Sequence, residues 1–549
     1  MWNITGIPCL WAALAWQDHA VIVFYVLIML GIGWYVSQKS SNDEEYFLAG
    51  RRMPWFAVGV SIIASILSSI TYVADPGEVW RSGETYLMGK MLAIPFEMLF
   101  VWVFVIPFFM RFRYTSAYEY LEDRFSPAAR KLGTIMFLFG VLTWMGVVVL
   151  VLAKAMSDVT EVRLEVVILT VGVVATIYTM LGGVRAVIWT DVIQVGLMLG
   201  GAIYVLAFIA WDTNSGLGDW HRSVSQIGSK MPVYSFDPQV RATMVTVGLS
   251  MFCWHVCTHV GNQMTVQRYF CTSDVKSARR SFLTGSILGV VINVMLLIVG
   301  MALFHYYQSH ALPPEIPAEL HDWASLPSHE RDPAIGKKAD ELFPRFVVTA
   351  LPPGIAGAIL AAMLAAAMST IDSGTNSVAT VLVAGFYRRH DRDPTAPQTG
   401  SALPANHVAL ARWLTIIVGV ITTGAAFGIS AVTGHVNIVE MMPRTFNCIP
   451  GPMGGMFLAG MFIPRASSRS VIPATLLGLA VSLWLAYSKE FFALFEIQYS
   501  FSFTWVMFGS LGVTLFFAWA FSQFESASSA ARPGFTWATR SVKPEDRIS

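Results

Sequence analysis

Charge is scarce in this 549-residue chain: Asp, Glu, Lys and Arg make up 13% of it, about half the ~25% of an ordinary soluble domain. That shortage excludes a soluble enzyme. The charges present also cancel, 36 basic against 35 acidic for a formal net charge of +1, so no whole-chain field gathers nucleic acid. Cysteine is rare as well. Cys9, Cys253, Cys257, Cys271 and Cys448 are too few for a disulfide scaffold and match no zinc-ribbon spacing. A phosphate-cradling Walker loop is missing, because Gly182-Gly183 and Gly454-Gly455 lack a following Lys-Ser/Thr. The stretch before His19 has no basic region and only a short apolar run, so it reads as uncleaved rather than as a signal peptide.

What the chain has in abundance is apolar sequence, 55% of residues, with a mean hydropathy of +0.57. A bilayer-crossing helix needs about 20 mostly apolar residues. Thirteen runs qualify: 19–37, 54–75, 86–110, 131–156, 163–182, 186–210, 243–264, 279–306, 354–386, 407–432, 435–462, 469–488 and 501–523. The expected fold class is therefore an all-α integral membrane protein of about 13 spans. Basic residues stay on the cytoplasmic side of a membrane, and alternate loops hold Lys39, Arg51 and Arg52, then Arg111 to Lys131, Arg185, Arg268 to Arg280, Arg388 to Arg412, and Arg465 and Arg469. This pattern predicts the N-terminus outside and the C-terminus inside. A polar tail over 525–549 is too short to fold as a domain.

Two spans carry polar residues at membrane depth. In 61–80, SIIASILSSITYVADPGEVW, small hydroxyl residues precede Asp75-Pro76-Gly77, and such a helix can unwind. Backbone unpaired at membrane depth persists only where it lines a cavity or binds something; close helix packing by Ser and Thr is the other reading. The second expected break is 361–380, AAMLAAAMSTIDSGTNSVAT, where helical spacing puts Ala366, Ser369, Thr370 and Ser373 on one face. Oxygen donors without sulfur or imidazole suit a hard cation such as Na⁺. Packing does not account for Asp372, since a carboxylate inside a span costs roughly 2.5–3.5 kcal/mol on insertion scales. Asp191 in the sixth span poses the same problem.

The seventh span reads CWHVCTH over 253–259. Residues two apart on a helix point roughly opposite ways, so Cys253/Cys257 and His255/His259 occupy two faces and do not make one four-ligand metal site. The histidines either line a cavity, where they hydrogen-bond a solute or titrate, or are satisfied by neighbouring helices. Arg444 lies nine residues past His435, roughly 13–14 Å into the eleventh span at 1.5 Å per residue. Glu440, one turn earlier, is its expected partner; the alternative is a solute carboxylate, which suits the guanidinium fork. Pro443 beside it can break the helix and free a carbonyl.

Four stretches together resemble the sodium:solute symporter family: Tyr46-Phe47-Leu48-Ala49-Gly50-Arg51, Gly182-Gly183 through Trp189-Thr190-Asp191, Asn262-Gln263 to Gln267-Arg268, and Ala365 to Asn376-Ser377. Tyr118-Glu119-Tyr120-Leu121 with Arg124-Phe125 is similar to the branch holding the monocarboxylate, vitamin and iodide carriers. The resemblance runs over nearly the whole chain. It implies a LeuT-like five-plus-five inverted repeat working by alternating access, with a first span in 1–53, repeats over 54–210 and 243–462, extracellular segments 211–242 and 307–342, and two last spans within 463–524.

It also implies residues. The shared sodium site would use the carbonyls of Ala64, Leu67 and Ala366 and the hydroxyls of Ser369 and Thr370. Some members bind a further sodium at positions that here are Asp191, Asp372 and Ser373, and Asp372 departs from the usual hydroxyl. Two carboxylates near one site repel unless a cation or proton sits between them, so a second coupling ion, Na⁺ or H⁺, is expected there; the alternative is that Asp372 is solvated in a cytoplasmic vestibule. Solute would lie between the broken spans, near Ile66, Ser69, Thr71 and Tyr72, with His255, Thr258 and His259 from the seventh span and Arg444 from the eleventh. Sugar carriers place amide and acidic side chains where this chain has Ile66, Ile70 and Thr71, and an aromatic gate where it has Thr258, which weakens a sugar reading.

The expected function is Na⁺-coupled import of a small polar organic solute or anion across a cytoplasmic or plasma membrane. Its partners are the solute, Na⁺ and the lipid bilayer, with no cofactor beyond the coupling ion. A sodium-independent or proton-coupled facilitator on the same fold is the alternative. A membrane enzyme ranks behind both, because no nucleophile or metal constellation converges in the sequence.

Overall fold

A computed structural model describes residues 14–37, 43–160, 162–225, 232–324, 326, 333–386, 406–433, 441–442, 444–525 and 534–541, and among these the chain is all helix and turn, without a strand. The helices that matter below are α1 (Trp16–Ser37), α2 (Trp55–Ile66), α3 (Ser69–Ser82), α4 (Thr85–Phe100), α5 (Pro127–Thr160), α6 (Leu164–Asp212), α7 (Met244–Gly261), α8 (Gln263–Phe270), α9 (Val275–Ser309), α10 (Ala339–Ala350), α11 (Ile355–Phe386), α12 (Asn406–Thr433), α13 (Pro450–Phe462), α14 (Ser468–Ala486) and α15 (Trp505–Ser522). Ten described helices are long and apolar enough to cross a membrane, and α2 with α3, a pair bent by 64°, meets the same measure when the two are taken together. Two expected spans fall short of that measure. The first, 163–182, is the start of α6, whose apolar stretch Leu164–Ile177 is shorter. The second, 435–462, lies partly outside the described residues, as do Glu440 and Pro443; Met441, Met442 and Arg444 are helical, and a turn separates them from the helix Pro450–Phe462.

The expected spans 163–182 and 186–210 meet inside α6 at Gly183, which turns with φ 62° and ψ 173°. Only glycine takes that conformation without strain, and a Cβ there would lie 3.0 Å from the Tyr46 ring. The break expected within 61–80 falls at Leu67-Ser68. Leu67 and Ser68 are extended (ψ 114° and 175°), whereas Asp75, Pro76 and Gly77 stay helical inside α3. Gly77 serves a close approach instead, since a Cβ on it would sit 2.7 Å from the Ala339 carbonyl of α10.

The break expected over 361–380 is absent: α11 runs without interruption from Ile355 to Phe386. Ala, Leu and Met are strong helix formers, and the hydroxyls fold back one turn, Ser369 onto the Ala366 carbonyl at 3.1 Å and Thr380 onto Asn376 at 2.8 Å. A break that the composition did not announce separates α7 from α8. Asn262 is extended there (φ −87°, ψ 116°) and caps α8 by accepting from the Met264 amide at 2.9 Å. α11 packs along α6, α2 along α9, and α7 along α4. These contacts bring the broken α2–α3 pair against the polar face of α11.

Candidate functional site

Where α2 ends, its last carbonyls have no intrahelical donor, and α11 presents hydroxyls to them. Ser369 Oγ donates to the carbonyls of Ala64 and Ala366, 3.1 Å each, and Thr370 Oγ1 lies 3.4 Å from those of Leu67 and Ala366. All five residues are buried, the most exposed being Leu67 at 4%. Three carbonyl and two hydroxyl oxygens converge without a carboxylate. Oxygens held about 2.3–2.6 Å from a hard cation sit about 3.3–3.6 Å from one another when adjacent, a spacing close to the four hydroxyl–carbonyl separations here.

Beside the oxygen cluster runs a buried charge network. Asp191 Oδ2 accepts from Ser61 Oγ at 2.5 Å and lies 3.6 Å from Arg268 Nη2. Arg268 donates Nε to Ser61 Oγ at 2.8 Å, Nη1 to the Met264 carbonyl at 2.6 Å, and Nη2 to Ser373 Oγ. Ser65 Oγ lies 3.1 Å from Ser373 Oγ. Two sequence expectations change here, for Arg268 and Asp372. Arg268, counted with the exposed basic loops, is 1% exposed. Asp191 has Arg268 as a neighbouring counter-charge, with its Oδ1 still without a hydrogen-bond partner. Asp372 faces no solvated vestibule; it is fully buried and accepts a hydrogen bond from Thr179.

The surrounding motif residues are fastened to this network. Gln267 Nε2 donates to the Phe47 carbonyl (2.7 Å), Asn376 Oδ1 (3.0 Å) and Thr380 Oγ1 (3.0 Å), while Ser377 donates to Gln267 Oε1 at 2.9 Å. Gln263 bridges to the turn before the helix Tyr118–Arg124, accepting from the Ala117 amide at 2.8 Å and donating to the Thr115 carbonyl at 2.9 Å. Stretches far apart in sequence thus meet through two glutamines.

The expected solute residues divide. Ser69 Oγ donates to the Val148 carbonyl at 3.0 Å and Tyr72 Oη to that of Met198 at 2.9 Å, so both hydroxyls engage the helices around them. Ile66 and Thr71 are half-buried, and Thr258 is 2% exposed. A small cleft lies elsewhere, lined among others by Tyr86, Ser250, Trp254, Asn447 and Thr504, and none of the expected solute residues borders it. Arg444 Nη1 meets Glu490 Oε1 at 2.6 Å, and Tyr487 donates to the Arg444 carbonyl at 2.7 Å. It is therefore fastened to the segment after α14, while Glu440, its expected partner, lies outside the described residues.

His255 and His259 both face Glu97 of α4, at 3.3 and 3.1 Å. The sequence reading passed over Glu97, although a lone acid inside the third span was as visible as Asp191.

With this geometry in place, comparison with known proteins is informative. The profile of the sodium:solute symporter family matches residues 46–478. The chain is 29% identical over 474 residues to a sodium/sialic acid symporter of Proteus mirabilis, covering 86% of this chain and 90% of that one. It is 31% identical to the sodium-dependent multivitamin transporter of Oryctolagus cuniculus, covering 85% and 70%. Among solved structures, a Na⁺-coupled sialic acid symporter in its substrate-bound outward-open state superposes with a TM-score of 0.77 at 26% identity, covering 94% of this chain and 99% of that one. The chain belongs to the sodium:solute symporter family, a multi-pass membrane transporter that couples sodium to the movement of a small solute.

Proposed function

We propose that the coupling Na⁺ binds among the carbonyls of Ala64, Leu67 and Ala366 and the hydroxyls of Ser369 and Thr370. The observation that carries this reading is the set of 3.1–3.4 Å oxygen separations across α2 and α11. Sodium then ties the broken helix to α11, and its departure lets the two part. That is the physical requirement for alternating access, because an ion shifts a conformational equilibrium only by its differential contacts with the two states. On this reading the chain has thirteen spans with the N-terminus outside, and 54–210 and 243–462 are the two halves of an inverted repeat.

The solute is a small organic acid or another anion. The similar proteins transport sialic acid, vitamins, monocarboxylates and iodide by name, and Ile66, Thr71 and Thr258 offer no acid or amide of the kind a sugar needs. The solute would enter beside the break in the second span, with Ile66, Ser69, Thr71 and Tyr72 on one side and Thr258 on the other. A second coupling ion at Asp191, Asp372 and Ser373 now hinges on Asp372, since Arg268 already balances Asp191. If Asp372→Ser leaves both sodium stoichiometry and the pH dependence of uptake unchanged, that second ion does not exist.

The test of the whole reading is a thermal-stability screen of the purified protein in NaCl against choline chloride, with sialic acid, monocarboxylates, vitamins, sugars and inorganic anions. A ligand that binds only the folded form raises the melting temperature. The expected result is an anion-dependent rise that requires Na⁺. A rise of equal size in choline would refute sodium coupling.

A further inference from the structure

Glu97 takes no part in the sodium cluster, and its surroundings differ from those of the other buried acids. It is 3% exposed on α4 and faces two imidazoles from successive turns of α7. His255 Nδ1 lies 3.3 Å from Oε2 and His259 Nε2 lies 3.1 Å from Oε1. Among the described residues no Lys or Arg pairs with this carboxylate; Lys90, earlier on α4, is engaged with Asp75 at 2.6 Å.

We propose that Glu97, His255 and His259 form a binding site for a divalent transition-metal cation of the zinc class, with three protein ligands and an open fourth position. The donor set is the first reason. Two imidazole nitrogens four residues apart on one helix face, joined by a carboxylate from a neighbour, are the borderline ligands zinc prefers. Spacing is the second. A tetrahedral ion about 2.0–2.1 Å from each ligand holds neighbouring ligand atoms about 3.3–3.4 Å apart. The two carboxylate–imidazole distances already match, and all three ligand atoms lie within 4.8 Å of one another, so only the imidazoles need to close further.

The third reason is hydrogen bonding. His259 Nδ1 is bonded to Tyr269 Oη, which holds the ring with Nε2 toward Glu97; in the tautomer with the proton on Nδ1, the Nε2 lone pair is available to a cation. His255 Nδ1 also points at the carboxylate while making no hydrogen bond. A metal ion would satisfy both nitrogens and neutralise a carboxylate buried within a span, with Tyr269 holding the His259 ring from behind. The bound ion would clamp α4 to α7 just before the α7–α8 break at Asn262.

The test uses the full, untagged chain in lipid nanodiscs, stripped with chelator and titrated with Co²⁺ and then Zn²⁺. One Co²⁺ per chain should bind with the intense d–d absorption of a tetrahedral site, and Zn²⁺ should displace it. His255→Gln and Glu97→Gln should each weaken binding at least tenfold, His255→Cys should restore it, and His221→Gln, at the exposed Glu84 pair, should leave it unchanged. A Na⁺-dependent melting shift retained by His255→Gln shows that this variant folds. Absence of stoichiometric Co²⁺ binding in the unmodified chain, or an unaltered band in both His255→Gln and Glu97→Gln, would overturn the site.

Discussion

Ser369→Ala removes one hydroxyl from the oxygen cluster and leaves the helix backbone in place. In the structure that hydroxyl bridges the carbonyls of Ala64 and Ala366 at 3.1 Å each. A bound cation would take one of its lone pairs while the hydroxyl proton stays on a carbonyl. Contacts of this kind to a full charge contribute about 1.5–3 kcal/mol. At 1.4 kcal/mol per tenfold, the half-saturating Na⁺ concentration should rise about 10- to 150-fold.

Folding should change far less. Alanine is the better helix former, and the neutral hydrogen bonds lost are worth about 1 kcal/mol each. The assay is the melting temperature or tryptophan fluorescence of the purified protein across a Na⁺ titration, with choline holding ionic strength constant. Thr370→Val should behave like Ser369→Ala, and Thr370→Ser, which keeps the hydroxyl, should shift little. Ser69→Ala is the control: its hydroxyl goes to the Val148 carbonyl, so its Na⁺ curve should overlay that of the unmodified chain. Curves for Ser369→Ala and Thr370→Val within twofold of the unmodified chain would refute the assignment.

Other outcomes follow from single contacts. Gly183→Ala forces an L-residue into a positive φ and brings its Cβ to 3.0 Å from Tyr46; it should lose about 1–3 kcal/mol of stability, read from denaturant midpoints in mixed micelles. Glu490→Gln breaks a half-exposed pair with Arg444 and should cost no more than about 1 kcal/mol with the KM for solute unchanged. A raised KM would return Arg444 to the pocket. Arg268→Met strands Asp191 in the interior and should cost about 3–5 kcal/mol, much of it recovered when Asp191→Asn is added, as a double-mutant cycle would show.

The spans were legible because their signal is composition alone: a run of apolar side chains of sufficient length needs no partner to be recognised. The family resemblance pointed to the five residues whose oxygens cluster, though a contact such as Ser369 to Ala64, 305 residues apart, has no trace in local pattern. Break positions were harder. Asp75-Pro76-Gly77 looks like a helix end, yet Gly77 is small because α10 crosses there. The true break at Leu67-Ser68 carries no proline or glycine to mark it. Charge partners were the least legible. Arg444 finds Glu490 46 residues away, and the neighbour suggested by helical periodicity lies outside the described residues. Glu97 was visible as an acid in a span, but nothing in α4 reveals that two turns of α7 face it.

Arg268 shows why a basic residue counted by its position in the chain can belong to the centre of the protein. Its side chain joins four helices, with Ser61 on α2, Asp191 on α6, the Met264 carbonyl on α8 and Ser373 on α11. A guanidinium can do this because its donors are fixed in one plane and point outward in several directions. A lysine ammonium carries the same charge at a single point and cannot reach Ser61, Met264 and Ser373 together. Arg268→Lys should therefore preserve the charge balance with Asp191 and still loosen the join between α2 and α11. The oxygen cluster spans that same join, so this substitution should weaken Na⁺ binding without removing any sodium ligand. An unchanged Na⁺ titration in a folded Arg268→Lys chain would show that the cluster is held by α11 packing alone.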